Sequence, residues 1–253
     1  MEMKVLGTFL KLLTSVVEVH SFFFLIPNSH LNSFLSPLSP LSLFISQDMG
    51  PTLRPMHSQI ATLVLNGIYR QKMMTSPAAY PLLPSLYRFF TAYLLNQWKY
   101  LIPAGGGGEL NADVILIIEA YLLALTVSDV NAIKSVIGHL VSLHEKRSLL
   151  SAPFFSVHFR LLFIKSVLNL LLLRTYDLLR QDLVTLLFSL ASSDFPSFYD
   201  QIFPAYVCEL GHQHEVETSG LRFPFEANIS TFRLNMDMFI ADWQERERER
   251  GLK

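Results

Sequence analysis

Cys208, His212, His214 and Glu215, within CELGHQHE, form the densest set of metal-ligand residue types in this chain. Thiolate, imidazole and carboxylate all suit zinc, but a tetrahedral site needs a second arm of CxxC or HxxxH type, and none follows. The cluster therefore reads as a polar loop after a helix. His139 and His144 are five residues apart, so a helix places them on different faces. Gly105–Gly108 lacks the Lys-Ser/Thr ending of a phosphate loop and follows no strand, which makes it a flexible break. No GxSxG or HExxH constellation is present. Asn228-Ile229-Ser230 has the form of a glycosylation sequon, yet Asn228 or Ser230 stands where a helix cap belongs. No catalytic residue, metal ligand or cofactor site is assigned, and the expectation is a protein that binds rather than catalyses.

The 253 residues can bury a core as one large or two small domains. A net charge of -1 gives no long-range attraction to nucleic acid or anionic lipid. The single cysteine excludes an internal disulfide and fits a reducing compartment. A hydrophobic fraction of 51% and a mean hydropathy of +0.34 leave two arrangements: membrane spans, or helices buried on several sides. The best C-terminal span, residues 153–173, carries Arg160 and Lys165 well inside it. Each costs roughly 2.5–3.5 kcal/mol near a bilayer centre. Glu119 and Asp182 interrupt other apolar runs. Buried helices are therefore expected, without membrane insertion. The alternative is a polytopic integral membrane protein, which draws on the uncharged run Val19–Gln47.

Residues 1–26 start like a signal peptide, but Lys11 and Glu18 break the apolar region, and no small-residue cleavage site follows. They read as an apolar helix striped by Leu6, Phe9, Leu10, Leu13 and Val17, possible as the end of an upstream repeat. Residues 27–50 are rich in Ser, Leu, Pro and Phe, with Pro37 and Pro40 forbidding a continuous helix. They read either as a linker or, from the pyrimidine-rich codons of those residues, as intron sequence carried into translation.

Residues 51–253 are regular. Helices are expected over about 57–74, 83–101, 112–127, 130–149, 154–176 and 229–250. Leu83, Leu86, Tyr87, Phe90, Leu94, Trp98 and Leu101 stripe the second of these, and Val130, Ile133, Ile137, Leu140 and Val141 the fourth. Residues 154–176 are apolar nearly all round, so a central helix with Leu161, Ile164, Leu168 and Leu172 inside is expected. Phe232, Met236, Phe239, Ile240 and Trp243 face inward in the last helix. Its alternating Glu and Arg end reads as solvated.

The stretch Thr175–Val207 is the most explicit. Leu179, Leu183, Leu186, Leu187 and Leu190 make one helical stripe. Ser193 or Asp194 caps the next helix, with Pro196 in its first turn. Phe198, Tyr199, Ile202, Phe203, Tyr206 and Val207 stripe that helix, and Pro204 predicts a bend near Phe203. Helical pairs begin near residues 57, 112, 154 and 195, and the later intervals match a HEAT-type period of about 40–47 residues. The fold class expected is an all-α solenoid of HEAT/armadillo-type helical pairs, about four in number.

In serial order, Arg88-Phe89-Phe90, Trp98-Lys99-Tyr100, Tyr176-Asp177-Leu178-Leu179, Ala191-Ser192-Ser193-Asp194-Phe195, Phe198-Tyr199 and Phe203-Pro204 resemble the C-terminal region of the exportin-six family. Phe232, Asn235 and Asp242 complete the pattern, which spans roughly Met56 to Trp243. The Gly105–Gly108 loop and the Arg/Glu tail depart from it. The family consists of karyopherin-β (importin-β) nuclear export receptors. The resemblance implies an α-solenoid that carries actin–profilin from nucleus to cytoplasm with Ran-GTP, passing nuclear pore proteins. It assigns no cargo- or Ran-binding residue. Such receptors are several times longer, so the chain is expected to be a C-terminal fragment, without the Ran-GTP-binding arch and prone to aggregate alone.

Overall fold

The computed structural model describes residues 59, 61–62, 64–66, 69, 83–102, 110–127, 129–210 and 228–251. The expectations for residues 1–26 and 27–50, for Gly105–Gly108 and for His212, His214 and Glu215 lie outside the described residues, as does most of the helix expected over 57–74. The chain divides into two compact units, Met1–His139 and Leu140–Lys253. Each is built from helices, and among the described residues there is no strand.

In the first unit, α1 (Leu83–Leu101) and α2 (Ala112–Ala124) pack together. The stripe read from the sequence of α1 is buried except at Trp98, which is half-buried. Phe89 and Tyr93 are buried as well, so α1 has neighbours on two sides. It ends where Ile102 precedes Pro103, since a residue before proline is pushed out of the helical region. Asn111 caps α2 by accepting from the Asp113 N–H at 2.8 Å. Ala61, Val64, Leu65 and Tyr69 are buried, with Tyr69 edge-on to Phe90 at 5.9 Å.

Helix α3 (Val130–Arg147) crosses the unit boundary. Asp129 caps it, accepting from the Ala132 N–H at 2.8 Å. Its buried residues are Ala132, Ile133, Val136, Ile137, Leu140 and Leu143. The expected stripe was thus offset: Val130 is exposed and Val141 half-buried, because the real face is centred between the 133 and 136 rows.

In the second unit, the continuous helix expected over 154–176 is divided. Helix α4 (Pro153–His158) meets α5 (Arg160–Leu172) at Phe159, whose φ of -122° and ψ of -29° leave the helical region. The break turns Arg160 inward while Phe155, Phe159 and Phe163 stay in ring contact. Ile164 and Leu168 are buried as expected and Leu172 is half-buried, but Leu161 is 48% exposed. The buried side also takes in Phe163, Val167, Leu170 and Leu171. A 3-10 segment, Arg174–Leu179, follows with a break at Tyr176, so residues 173–179 belong to a corner and not to either helix.

Helix α6 (Arg180–Ala191) packs on α5, and the last helix, α9 (Ile229–Gly251), packs on both. Leu179, Leu183, Leu186, Leu187 and Leu190 are all buried, as the period required. Asp194 caps α7 (Phe195–Ser197), accepting from the Ser197 N–H at 3.1 Å, with Pro196 in the first turn. A π turn, Phe198–Ile202, then leads into α8 (Phe203–Glu209). The bend expected from Pro204 takes this form. Pro204 has no N–H for the Asp200 carbonyl, and its ring would crowd that oxygen. Widening the turn lets the Phe203 N–H bond the Phe198 carbonyl instead. Asn228 caps α9 by accepting from the Ser230 N–H at 2.8 Å, and Phe232, Met236, Phe239 and Ile240 are buried beneath it. Trp243 is half-buried.

Among the described residues no helix is long and apolar enough to cross a membrane, which stands against the polytopic membrane alternative.

Ser148 ends α3 in the left-handed region, with φ 52° and ψ 37°, and is exposed. A Cβ is disfavoured there, and glycine is the usual residue at this position after a helix. Ser148→Gly is expected to raise stability by about 0.5–1 kcal/mol, after allowing for the greater freedom of glycine in the unfolded chain. Urea denaturation of both proteins measures it; a loss of stability would contradict the strain.

Candidate binding surfaces

The described hydroxyls between α1 and α2 bond one another. The Thr91 hydroxyl donates to the Tyr87 carbonyl at 2.8 Å and lies 2.8 Å from the Tyr121 hydroxyl. Tyr121 also reaches the Tyr87 carbonyl at 3.3 Å. Burial pushes the phenols of Tyr87 and Tyr121 well up from their ordinary range, so both stay protonated at any physiological pH. They tie α1 to α2 and do no acid–base work. Tyr93 donates to Asp113 Oδ2 at 3.2 Å. Burial raises the Asp113 carboxyl, and the Tyr93 bond opposes that rise. Burial, helped by the Arg88 guanidinium, lowers His139 to about 4 and keeps it neutral near pH 7.

The second unit is held at its corner by Arg160. This residue is 7% exposed and donates through Nη2 to the Asp194 carbonyl at 3.2 Å, with Asp194 Oδ2 at 3.6 Å. The same aspartate caps α7, so one residue fixes the start of α5 against the turn after α6. Further along, Lys165 Nζ bonds both carboxylate oxygens of Glu209 at 2.6 and 2.8 Å. Tyr206 donates to Asn169 Oδ1 at 2.7 Å. Both contacts join α5 to α8. Sequence reasoning took Arg160 and Lys165 only as obstacles to a membrane span. A charge within an apolar run also signals an internal partner, and Asp194, already marked as a cap, was the available one.

Of the candidate zinc ligands, only Cys208 is described; it is a half-buried free thiol on α8. Among the described residues no group of three or more His, Cys, Asp or Glu side chains could hold a metal ion. His139 and His144 sit on different faces of α3, as their spacing required.

What the described surface does offer is apolar area on helices. In the second unit Val157, Leu161 and Leu162 project from α4 and α5, Leu173 and Leu178 from the following corner, and Leu234 and Met238 from α9. In the first unit, α2 and Tyr69 line a groove of about 390 Å³ between Leu116, Glu119, Ala120, Leu122, Leu123 and Thr126. Residue types of this kind hold other molecules by shape and desolvation. None was legible as a surface in the sequence, because an apolar residue on a helix of mixed pattern is assigned to the core by default.

These features define an all-α helical-repeat protein that presents apolar faces between short, capped corners. Residues 89–245 match the family described as Exportin-6, C-terminal TPR repeats, and the chain belongs to that family. The expected HEAT-type spacing and the tetratricopeptide repeats of that description share one unit, a stacked pair of helices. Over 211 residues the chain is 21% identical to Exportin-6 of Danio rerio, covering 78% of this chain and 18% of that protein. It is 18% identical to Exportin-6-A of Xenopus laevis and to Exportin-6 of Homo sapiens, over the same share of this chain. The chain therefore spans less than a fifth of the length of these relatives. No solved structure matches.

Two measurements test the internal contacts. Arg160→Ala is expected to cost about 2 kcal/mol, because it removes a charged hydrogen bond to the Asp194 carbonyl, which keeps only the Phe198 N–H, and leaves space where a buried side chain stood. Arg160→Lys should recover only part of this, since the shorter lysine side chain brings its ammonium less far toward the position Nη2 holds. Equal stability of the alanine variant and the parent in chemical denaturation would remove Arg160 from its role as the corner tie. For His139, the folded group has a lower pKa than the unfolded one, so the unfolded chain binds the proton more readily between about 4 and 6.5. Stability is expected to fall as pH drops through that window, and His139→Gln should flatten the slope there.

Proposed function

We propose that the chain is a C-terminal part of a nuclear export receptor, with residues 51–253 as its helical-repeat domain. Membership of the exportin-6 repeat family carries this reading. The docking character of the surface supports it: the described helices present apolar faces. On this reading the receptor is non-catalytic and shuttles between nucleus and cytoplasm, engaging nuclear pore proteins on the way. Its cargo is actin–profilin, and Ran-GTP and cargo favour one closed state of the array, so each raises the affinity for the other.

The decisive experiment exchanges segments. Residues 51–253 replace the matching C-terminal region of the Danio rerio exportin-6 in cells depleted of their own exportin-6. The chimaera is expected to return actin to the cytoplasm, while the receptor lacking that region leaves actin in the nucleus. Nuclear actin retained to the same degree by both proteins would sink the reading. In a second arm, the chain alone is titrated with Ran-GTP. Weak or absent binding is expected, and nanomolar affinity would count against assigning the Ran contacts to other parts of the receptor.

A further inference from the structure

The outer side of α2 remains without a described neighbour. Val114, Ile117, Ile118, Ala120, Tyr121 and Ala124 are buried, yet the helix is apolar all round. A helix of that kind needs partners on several sides. The remaining side, with Leu116, Leu122 and Leu123 along one wall, bounds the 390 Å³ groove, and Tyr69 closes one side of it.

One charge interrupts this apolar lining. Glu119 is exposed at the groove and has no ion-pair partner among the described residues. It lies near enough to Tyr69 for its negative charge to add to the burial that keeps that phenol protonated. An anionic group on an otherwise apolar wall sets the complement. The occupant must bring aliphatic side chains for the leucines and one cation for the carboxylate.

We propose that this groove on α2 docks a segment of a partner protein that carries Leu or Ile side chains with a Lys or Arg one helical turn away, the cation meeting Glu119. A second copy of this chain fits less well: Lys165, the cation one turn from the exposed Leu161 on α5, is already held by both carboxylate oxygens of Glu209. The inference stands on the groove alone and holds or fails independently of the export-receptor reading.

The test uses the full 253-residue chain and two fluorescein-labelled peptides, one built of Leu and Lys in amphipathic helical spacing, the other with Glu in place of every Lys. Because the chain is nearly neutral overall, any preference between the two peptides reports a local charge. Fluorescence anisotropy should show the Leu/Lys peptide binding at least about tenfold more tightly than its Glu counterpart. Glu119→Gln should weaken Leu/Lys binding about fivefold, the range of a partly exposed ion pair. Glu119→Lys should reverse the preference. Leu123→Asp should weaken both peptides. Glu119 is exposed, so its variants should melt with the parent, which keeps the charge reversal readable even if Leu123→Asp unfolds. An unchanged preference in Glu119→Lys, or no binding of either peptide by the parent, overturns the proposal. So does a dimer in sedimentation that Glu119→Lys dissociates, since the groove would then belong to a second copy.

Discussion

The second unit depends on one shared stripe of leucines. Leu183, Leu186, Leu187 and Leu190 of α6 are removed from water together with Leu179 just before it, and α5 and α9 are the helices that pack against α6. Burying each contributes about 1.5–3 kcal/mol, before the entropy of ordering the chain is subtracted. No isolated helix of 12 residues would hold its shape without such neighbours. The aromatic contacts extend the same seam, since Phe188 of α6 meets Phe232 of α9 with ring centroids 5.4 Å apart. Phe232 also lies 6.0 Å from Phe198, which brings the π turn to the same seam. Folding α6 therefore requires α5 and α9 to be in place.

Apolar burial has no direction, so the corners set the register. Asp194 serves three contacts at once, capping α7 through Oδ1 while its carbonyl and Oδ2 face Arg160. The break at Phe159 belongs to this arrangement, because it presents Arg160 to the corner instead of to solvent. Pro204 imposes a second local rule. It forbids the ordinary bond to Asp200, and the chain answers with a π turn that keeps Phe198, Phe203, Tyr206 and Val207 on the buried side. Local backbone chemistry and long-range packing agree at both places, which favours one well-defined arrangement over many similar ones.

A repeat architecture of this kind separates stability from recognition. Leucine and aromatic burial carries the interior, leaving the outward rows free to vary in polarity. Leu178 is 94% exposed at a corner, and Leu234 and Met238 lie one turn apart on α9. Such side chains add nothing to the core of the unit that carries them. Their outward position suits contact with other surfaces, and the chain spans less than a fifth of the relatives it matches.

The sequence alone determined the helical class, the leucine stripe of α6, the places of the caps at Ser193 or Asp194 and at Asn228 or Ser230, and the bend before Pro204. These follow from rules that act within a few residues: the 3.6-residue period, side-chain capping of free N–H groups, and the missing N–H of proline. Family membership was legible through the serial order of short aromatic signatures. The break at Phe159, the partnership of Arg160 with Asp194 across 34 residues, and the rotated face of α3 were decided by the tertiary structure. So was the division of apolar residues between core and surface. Leu161 and Ile164 have the same chemistry and belong to the same helix, yet one is half in solvent and the other fully buried. Hydrophobicity states that a residue is better off covered; only the placement of neighbouring helices decides which ones are.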